Sequence, residues 1–202
     1  MKINFEKNPP RTLRELDIFA KEKSKGKIPF EVWDMRKCYK KQEFDVALNL
    51  FTSFGYFNNK EDDFSAIKAM SDNCNIEVTM KCRTGIDNQT SYDFFRDFID
   101  VIIHSGIRIV YVHARNAILR GLNPKNNRIV PPLKYEFVSR IKRDFPEIQF
   151  IINGGINSLD QAYEFCKKYD GIMVGRLIQS NPFCLLYVDK KIFNEKKDKQ
   201  EY

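Results

Sequence analysis

Several features that would narrow the function at once are missing from this chain. Its five cysteines, Cys38, Cys74, Cys82, Cys166 and Cys184, are scattered without a C-x-x-C pair. That excludes the common zinc spacings and a disulfide framework, and predicts a reducing, cytoplasmic setting. No apolar run approaches the ~20 residues of a bilayer span, so no membrane partner is expected. The N-terminus, MKINFEKNPPRTLREL, has no apolar signal core. Repeats and low-complexity blocks are absent.

What is present is 202 residues, enough for one ordinary domain or two small ones. Hydrophobic residues at 43% allow a true core, and charged residues at 30% favour solubility. Lys and Arg number 34 against 27 acids, a net charge of +7. The charged tail over 191–202 adds little to that excess, so most of it belongs to the folded part. Such a balance favours an anionic partner, a nucleic acid or a nucleotide cofactor.

From residue 76 the pattern alternates between strand and helix. IEVTMKC reads as a strand and SYDFFRDFIDVIIHSG as a helix with Phe94, Phe95, Phe98, Ile99 and Ile102 on one stripe. IRIVYVH has the continuous β-branched and aromatic run of a strand buried on both faces. YEFVSRIKRDFP is a helix stopped by Pro146. IQFIING is a strand, and SLDQAYEFCKKYDG is a helix with a Ser158/Gln161 capping box and a stripe of Leu159, Ala162, Tyr163 and Cys166. GIMVGR is a short last strand. This alternation predicts a parallel sheet with right-handed crossovers. The first 70 residues have their own α/β rhythm: a helix over 12–26, strands around Val32 and Leu48, and a helix in EDDFSAIKAM led by Asp62 and Asp63. A seam falls at MSDNCN.

Ligands of parallel α/β sheets collect at the carboxyl ends of the strands. Those ends present Lys81 and Arg83, then His113 and Arg115, then Asn153, Gly154 and Gly155, then Gly175 and Arg176. Singly, each has a plainer reading: a solvent-seeking lysine, a structural histidine, an αβ turn, a surface arginine. Together, cations, amides and glycines at four equivalent places predict an anion site.

The stretches VTMKCRTGID, VYVHARNAILRGLNPKNNRIVPPLKY, RDFPEIQFIINGGINSLDQA and DGIMVGRLIQSNPF closely resemble the tRNA-dihydrouridine synthases, in particular the subfamily acting on D-loop uridines. The resemblance covers about residues 66–195. It implies a partial TIM barrel, the last four β/α units, at 73–190, preceded by a short α/β segment at 1–72. It implies FMN as cofactor, NADPH as reductant and tRNA as partner. Carried over by motif, Lys81 and His113 would meet the flavin, Asn153, Gly154, Gly155, Gly175 and Arg176 its phosphate, Arg115 the uracil, and Lys125 and Arg128 the tRNA.

The sequence also departs from that family. The asparagine-rich GCPS context of its proton-donating cysteine is absent, so no catalytic residue is assigned and impaired activity is expected of a truncated barrel. A half barrel exposes strand edges, which predicts pairing with the N-terminal strands, self-association or aggregation. FEVWDMRKCYKKQEFDVALNLFTSFGYFNNKEDDFSAIKAM resembles the middle of a class I S-adenosylmethionine methyltransferase, which implies a place for Asp34 near an adenine. The glycine-rich cofactor loop of that family is missing. The alternatives to a flavoprotein are therefore a methyltransferase fragment or a non-catalytic RNA-binding module, and the join itself suggests a fusion, a decayed gene or an assembly artefact.

Overall fold

The computed structural model describes residues 60–73 and 77–195, with isolated positions between 21 and 40. The chain divides into two compact units, Met1–Asn75 and Ile76–Tyr202. In the first, Lys21, Glu22 and Ser24 are helical, within the helix predicted over 12–26. The strands expected at Val32 and Leu48 lie outside the described residues. Helix α1 (Lys60–Asn73) buries Ala66 and Ile67. Arg36 bridges Asp34 and Asp62, each at 2.8 Å.

The second unit is built on four strands, β1 (Thr79–Arg83), β2 (Ile109–His113), β3 (Gln149–Asn153) and β4 (Gly171–Met173). They lie in sequence order and every neighbouring pair is parallel. Helices α2 (Tyr92–His104), α3 (Tyr135–Asp144) and α4 (Leu159–Cys166) make the three crossovers. Right-handed crossovers between sequential neighbours put all three helices on one face of the sheet. The helix-facing residues Val110, Val112, Phe150 and Ile152 are accordingly fully buried. This is an α/β arrangement of four consecutive β/α units, half of an eight-unit TIM barrel.

β2 corrects one expectation. Its sequence predicts burial on both faces, but Ile109 and Tyr111 are only half-buried. The reason is architectural: the helices of this unit cover one face and leave those two side chains on the other.

Local chemistry sets the helix ends. The Ser91 hydroxyl accepts the Phe94 N–H at 3.2 Å and starts α2. Tyr92, Phe95, Ile99 and Ile102 are its buried stripe, with Phe94 and Phe98 at the margin. The Tyr92 hydroxyl donates to Asp144 Oδ2 at 2.6 Å and ties α2 to the end of α3. At α4, Ser158 Oγ accepts the Gln161 N–H at 3.1 Å, while Gln161 Oε1 accepts from Asn157 at 2.9 Å. The reciprocal bond thus falls one residue earlier than a capping box places it. The predicted stripe of α4 is also narrower. Ala162 is buried, Tyr163 is 38% exposed, and the inward aromatic is Phe165, which contacts Tyr135 and Tyr169 at 4.9 and 5.7 Å between ring centres. Beyond β4, α5 (Arg176–Ser180), a 3₁₀ segment (Pro182–Tyr187) and α6 (Val188–Ile192) follow.

Candidate functional site

The register of the sheet builds the site. Arg83 pairs with His113, His113 with Asn153, and Asn153 with Met173. Residues in register on parallel strands share a face, so the last residues of four strands stand side by side. Lys81, two positions before Arg83, lies on the same face. Cys82, between them, points to the helices, and burial pushes its thiol up to about 12.

These strand ends line a cavity of about 310 Å³. Its walls include Lys81, Arg83, His113, Arg128, Asn153, Gly154, Gly155, Gly175, Arg176 and Gln179. Four of these are full cations, and no carboxylate is among the lining residues. The electrostatics record the crowding. Burial, then Arg83, Lys81, Arg115 and Arg176, lower the His113 pKa to about 3, so the imidazole is neutral at ordinary pH. Lys81 is lowered by desolvation and then by Arg83, even though part of its side chain reaches solvent. Arg83 is lowered by desolvation and by Arg115 and Arg128. Several cations and a neutral imidazole around one space form a site for an anion.

Gly154 and Gly155 give that space its floor. Both have positive φ, +106° and +69°. A Cβ on Gly154 would stand 2.4 Å from His113 Cδ2, and one on Gly155 would stand 2.5 Å from Leu133 Cδ1 and 2.7 Å from the Tyr135 hydroxyl. The Tyr135 hydroxyl donates to the Gly154 carbonyl at 2.7 Å. Asn153 Nδ2 donates to the Met173 carbonyl at 2.7 Å and fixes β3 to β4 at this end.

The loop after β2 is stitched to the loop after β1. Thr84 N–H donates to the Arg115 carbonyl, and Thr84 Oγ1 bonds Asn116 Oδ1 at 3.0 Å. Ala117 N–H donates to the Gly85 carbonyl and Asp87 N–H to the Ala117 carbonyl, at 2.8 and 2.7 Å. Leu119 N–H donates to Asp87 Oδ1 at 2.7 Å.

The residues predicted from sequence separate here. Lys81, His113, Asn153, Gly154, Gly155, Gly175 and Arg176 come together in the cavity wall. So does Arg128, assigned by resemblance to the tRNA. Lys125, exposed, and Arg115, buried, both lie outside that wall. Arg115 is 9% exposed, donates through Nη1 to the Pro131 carbonyl, and keeps a buried Nε without a partner. Its displacement has a local cause. Arg115 N–H donates back to the His113 carbonyl at 2.6 Å, so the chain turns immediately after the strand and the alternation of faces ends there. Arg83 is the cavity residue that the resemblance left without a role, and its i, i+2 spacing from Lys81 is the signal that finds it. Asp34, placed near an adenine by the N-terminal resemblance, has its carboxylate bonded by the Arg36 backbone and guanidinium, which hold its pKa down at about 2.

The fold and the cavity define an α/β protein with a parallel sheet and a cationic, glycine-floored cavity at the carboxyl edge of its strands. Residues 58–202 match the family model of dihydrouridine synthase. The chain belongs to the dihydrouridine synthase family. A tRNA-dihydrouridine(20/20a) synthase from Salmonella typhimurium is 50% identical over 128 residues, 63% of this chain and 39% of that protein. The proteins of that name from Pseudomonas syringae and Escherichia coli K12 are 45% and 48% identical, again over 63% of this chain and 38% and 37% of their own length. The matched region therefore spans well under half of each relative. A solved N-acetylneuraminate lyase from Fusobacterium nucleatum, at 12% identity and a TM-score of 0.26 over 67% of this chain and 60% of that one, is too slight a likeness to carry an argument. No helix among the described residues is long and apolar enough to cross a membrane.

Proposed function

We propose that this chain carries the cofactor-phosphate side of an FMN-dependent reduction of uridine in tRNA, with NADPH as reductant. The observation that supports the reading best is the cavity itself: four cations, no lining carboxylate and two lining glycines of positive φ. Those features fit a phosphate ester joined to a planar group. FMN, when bound, supplies the hydride and a ring that is anionic once reduced. Lys81 is the cation suited to stabilise that charge. His113, held neutral, offers a hydrogen-bonding edge without adding charge. Gly154, Gly155, Gly175 and Asn153 let backbone and amide groups approach the phosphate, and Arg176 adds a guanidinium. Lys125, exposed on the long loop, would meet a tRNA phosphate, and Arg128 spans the cavity and that rim.

The family's asparagine-rich cysteine motif is not in the sequence, and Cys82 sits on the wrong face of β1 with a thiol that resists ionisation. The expected behaviour is flavin and tRNA binding with weak turnover. The test adds FMN to the purified chain and follows quenching of flavin fluorescence. It then adds NADPH and an unmodified tRNA transcript and measures dihydrouridine. Saturable quenching with little dihydrouridine is expected. No quenching overturns the cofactor reading, and full turnover overturns the expected impairment.

A further inference from the structure

The loop over 114–134, between β2 and α3, is rich in cations, and its main chain has a role of its own. Arg83 Nη1 donates to the carbonyls of Asn116 and Asn127, at 3.0 and 2.9 Å. Arg176 Nη2 donates to the carbonyl of Arg128 at 3.3 Å. Two arginines from different strand ends are thus set against the carboxyl end of one 3₁₀ turn, Asn126–Arg128, where carbonyls point outward and the local dipole is negative. The turn is itself held by one side chain. Asn127 Oδ1 accepts the Ile118 N–H at 2.7 Å, and Asn127 Nδ2 donates to the Ile118 and Leu122 carbonyls at 2.6 and 3.2 Å. Three of the four hydrogen bonds that this amide can make are spent inside the loop.

We propose that Asn127 is a positioning residue: by pinning residues 118–128 into one turn, it fixes the carbonyls that aim Arg83 and Arg176 into the anion cavity. The inference rests on the reading of that cavity as the site of a phosphate-bearing cofactor. Asn127 touches no ligand in this scheme and acts through those two arginines and through Arg128, the cavity residue beside it in the same turn.

The test measures FMN affinity by fluorescence quenching and inorganic phosphate affinity by calorimetry, on the full chain. Asn127→Ala is expected to weaken both by roughly tenfold, the scale of misplacing a charge-assisted hydrogen bond, at a temperature where circular dichroism shows the variant folded. Asn127→Ser keeps a small uncharged hydroxyl that can accept from Ile118 and donate once. It should weaken binding less than Asn127→Ala, and it serves in its place if the alanine variant does not fold. In an Arg83→Ala/Arg128→Ala/Arg176→Ala background, Asn127→Ala should cost nothing further. Unchanged affinity in Asn127→Ala, or an equal loss in the triple-arginine background, overturns the inference and leaves the cofactor reading standing. A wild-type chain that binds neither FMN nor phosphate overturns both.

Discussion

The backbone of Gly154 lies against the ring of His113, with room for a hydrogen and not for a methyl group: a β-carbon there would stand 2.4 Å from Cδ2. The glycine also has a φ of +106°, which L side chains rarely adopt. Gly154→Ala is therefore expected to lower stability by about 1–3 kcal/mol, to displace His113, and to weaken FMN binding. Urea unfolding and fluorescence titration measure the two effects. Gly106, with a φ of +96° and nothing within 4 Å of its position, is the control: alanine there should cost stability alone.

His113 predicts a pH dependence whose sign follows from its lowered pKa. Its ordinary value is 6.5, and the folded value is about 3. Between those values the unfolded chain binds a proton that the folded chain refuses, so stability is lost as pH falls from about 6.5 toward 3. Bound phosphate supplies negative charge beside the ring and should raise its folded pKa, shrinking that loss. Thermal melts across this window, with and without phosphate and with His113→Gln as reference, check it. An acid-side slope that is the same in wild type and variant would assign the effect to carboxylates instead.

Lys125 and Arg128 are expected to part company. Lys125→Ala should reduce the salt dependence of tRNA binding by about one phosphate contact and leave FMN affinity alone. Arg128→Ala should weaken FMN as well, because its side chain lines the cavity. Filter binding across a salt series and flavin quenching separate the two. Equal effects of both variants on both ligands would contradict the placement.

Cys82 should be chemically silent. Its thiol is pushed up to about 12 by burial, and the thiolate is the reacting form. Native protein treated with iodoacetamide at pH 8 and mapped by mass spectrometry should show Cys82 unmodified. Rapid labelling would mean that the helix-facing side of β1 opens readily.

Much of this site is legible in the sequence because strands have a period of two and ligands gather where strands end. Lys81, His113, Asn153 and Arg176 follow from those two rules, and the glycines follow from the need for open main chain. Arg115 lies outside the cavity wall for a physical reason: the rule of alternating faces holds only while the strand lasts, and the chain turns at His113. The place of Arg128 in the cavity wall is not legible in the sequence, because a loop has no period and the fold of this one rests on one amide, Asn127, bonding residues five and nine positions away. The covered and uncovered faces of β2 are not told apart by strand propensity, since Ile109 and Tyr111 favour a strand as Val110 and Val112 do. Their difference arises from which side the crossovers take.

Backbone carbonyls, rather than acidic side chains, hold Arg83, Arg115 and Arg176 in place. A carboxylate partner would cancel the charge that it anchors and would let go on protonation. An amide carbonyl carries no net charge and does not titrate in the accessible range. The cavity thus keeps its full positive potential for an incoming anion, and the geometry of its arginines stays constant from mild acid to mild base.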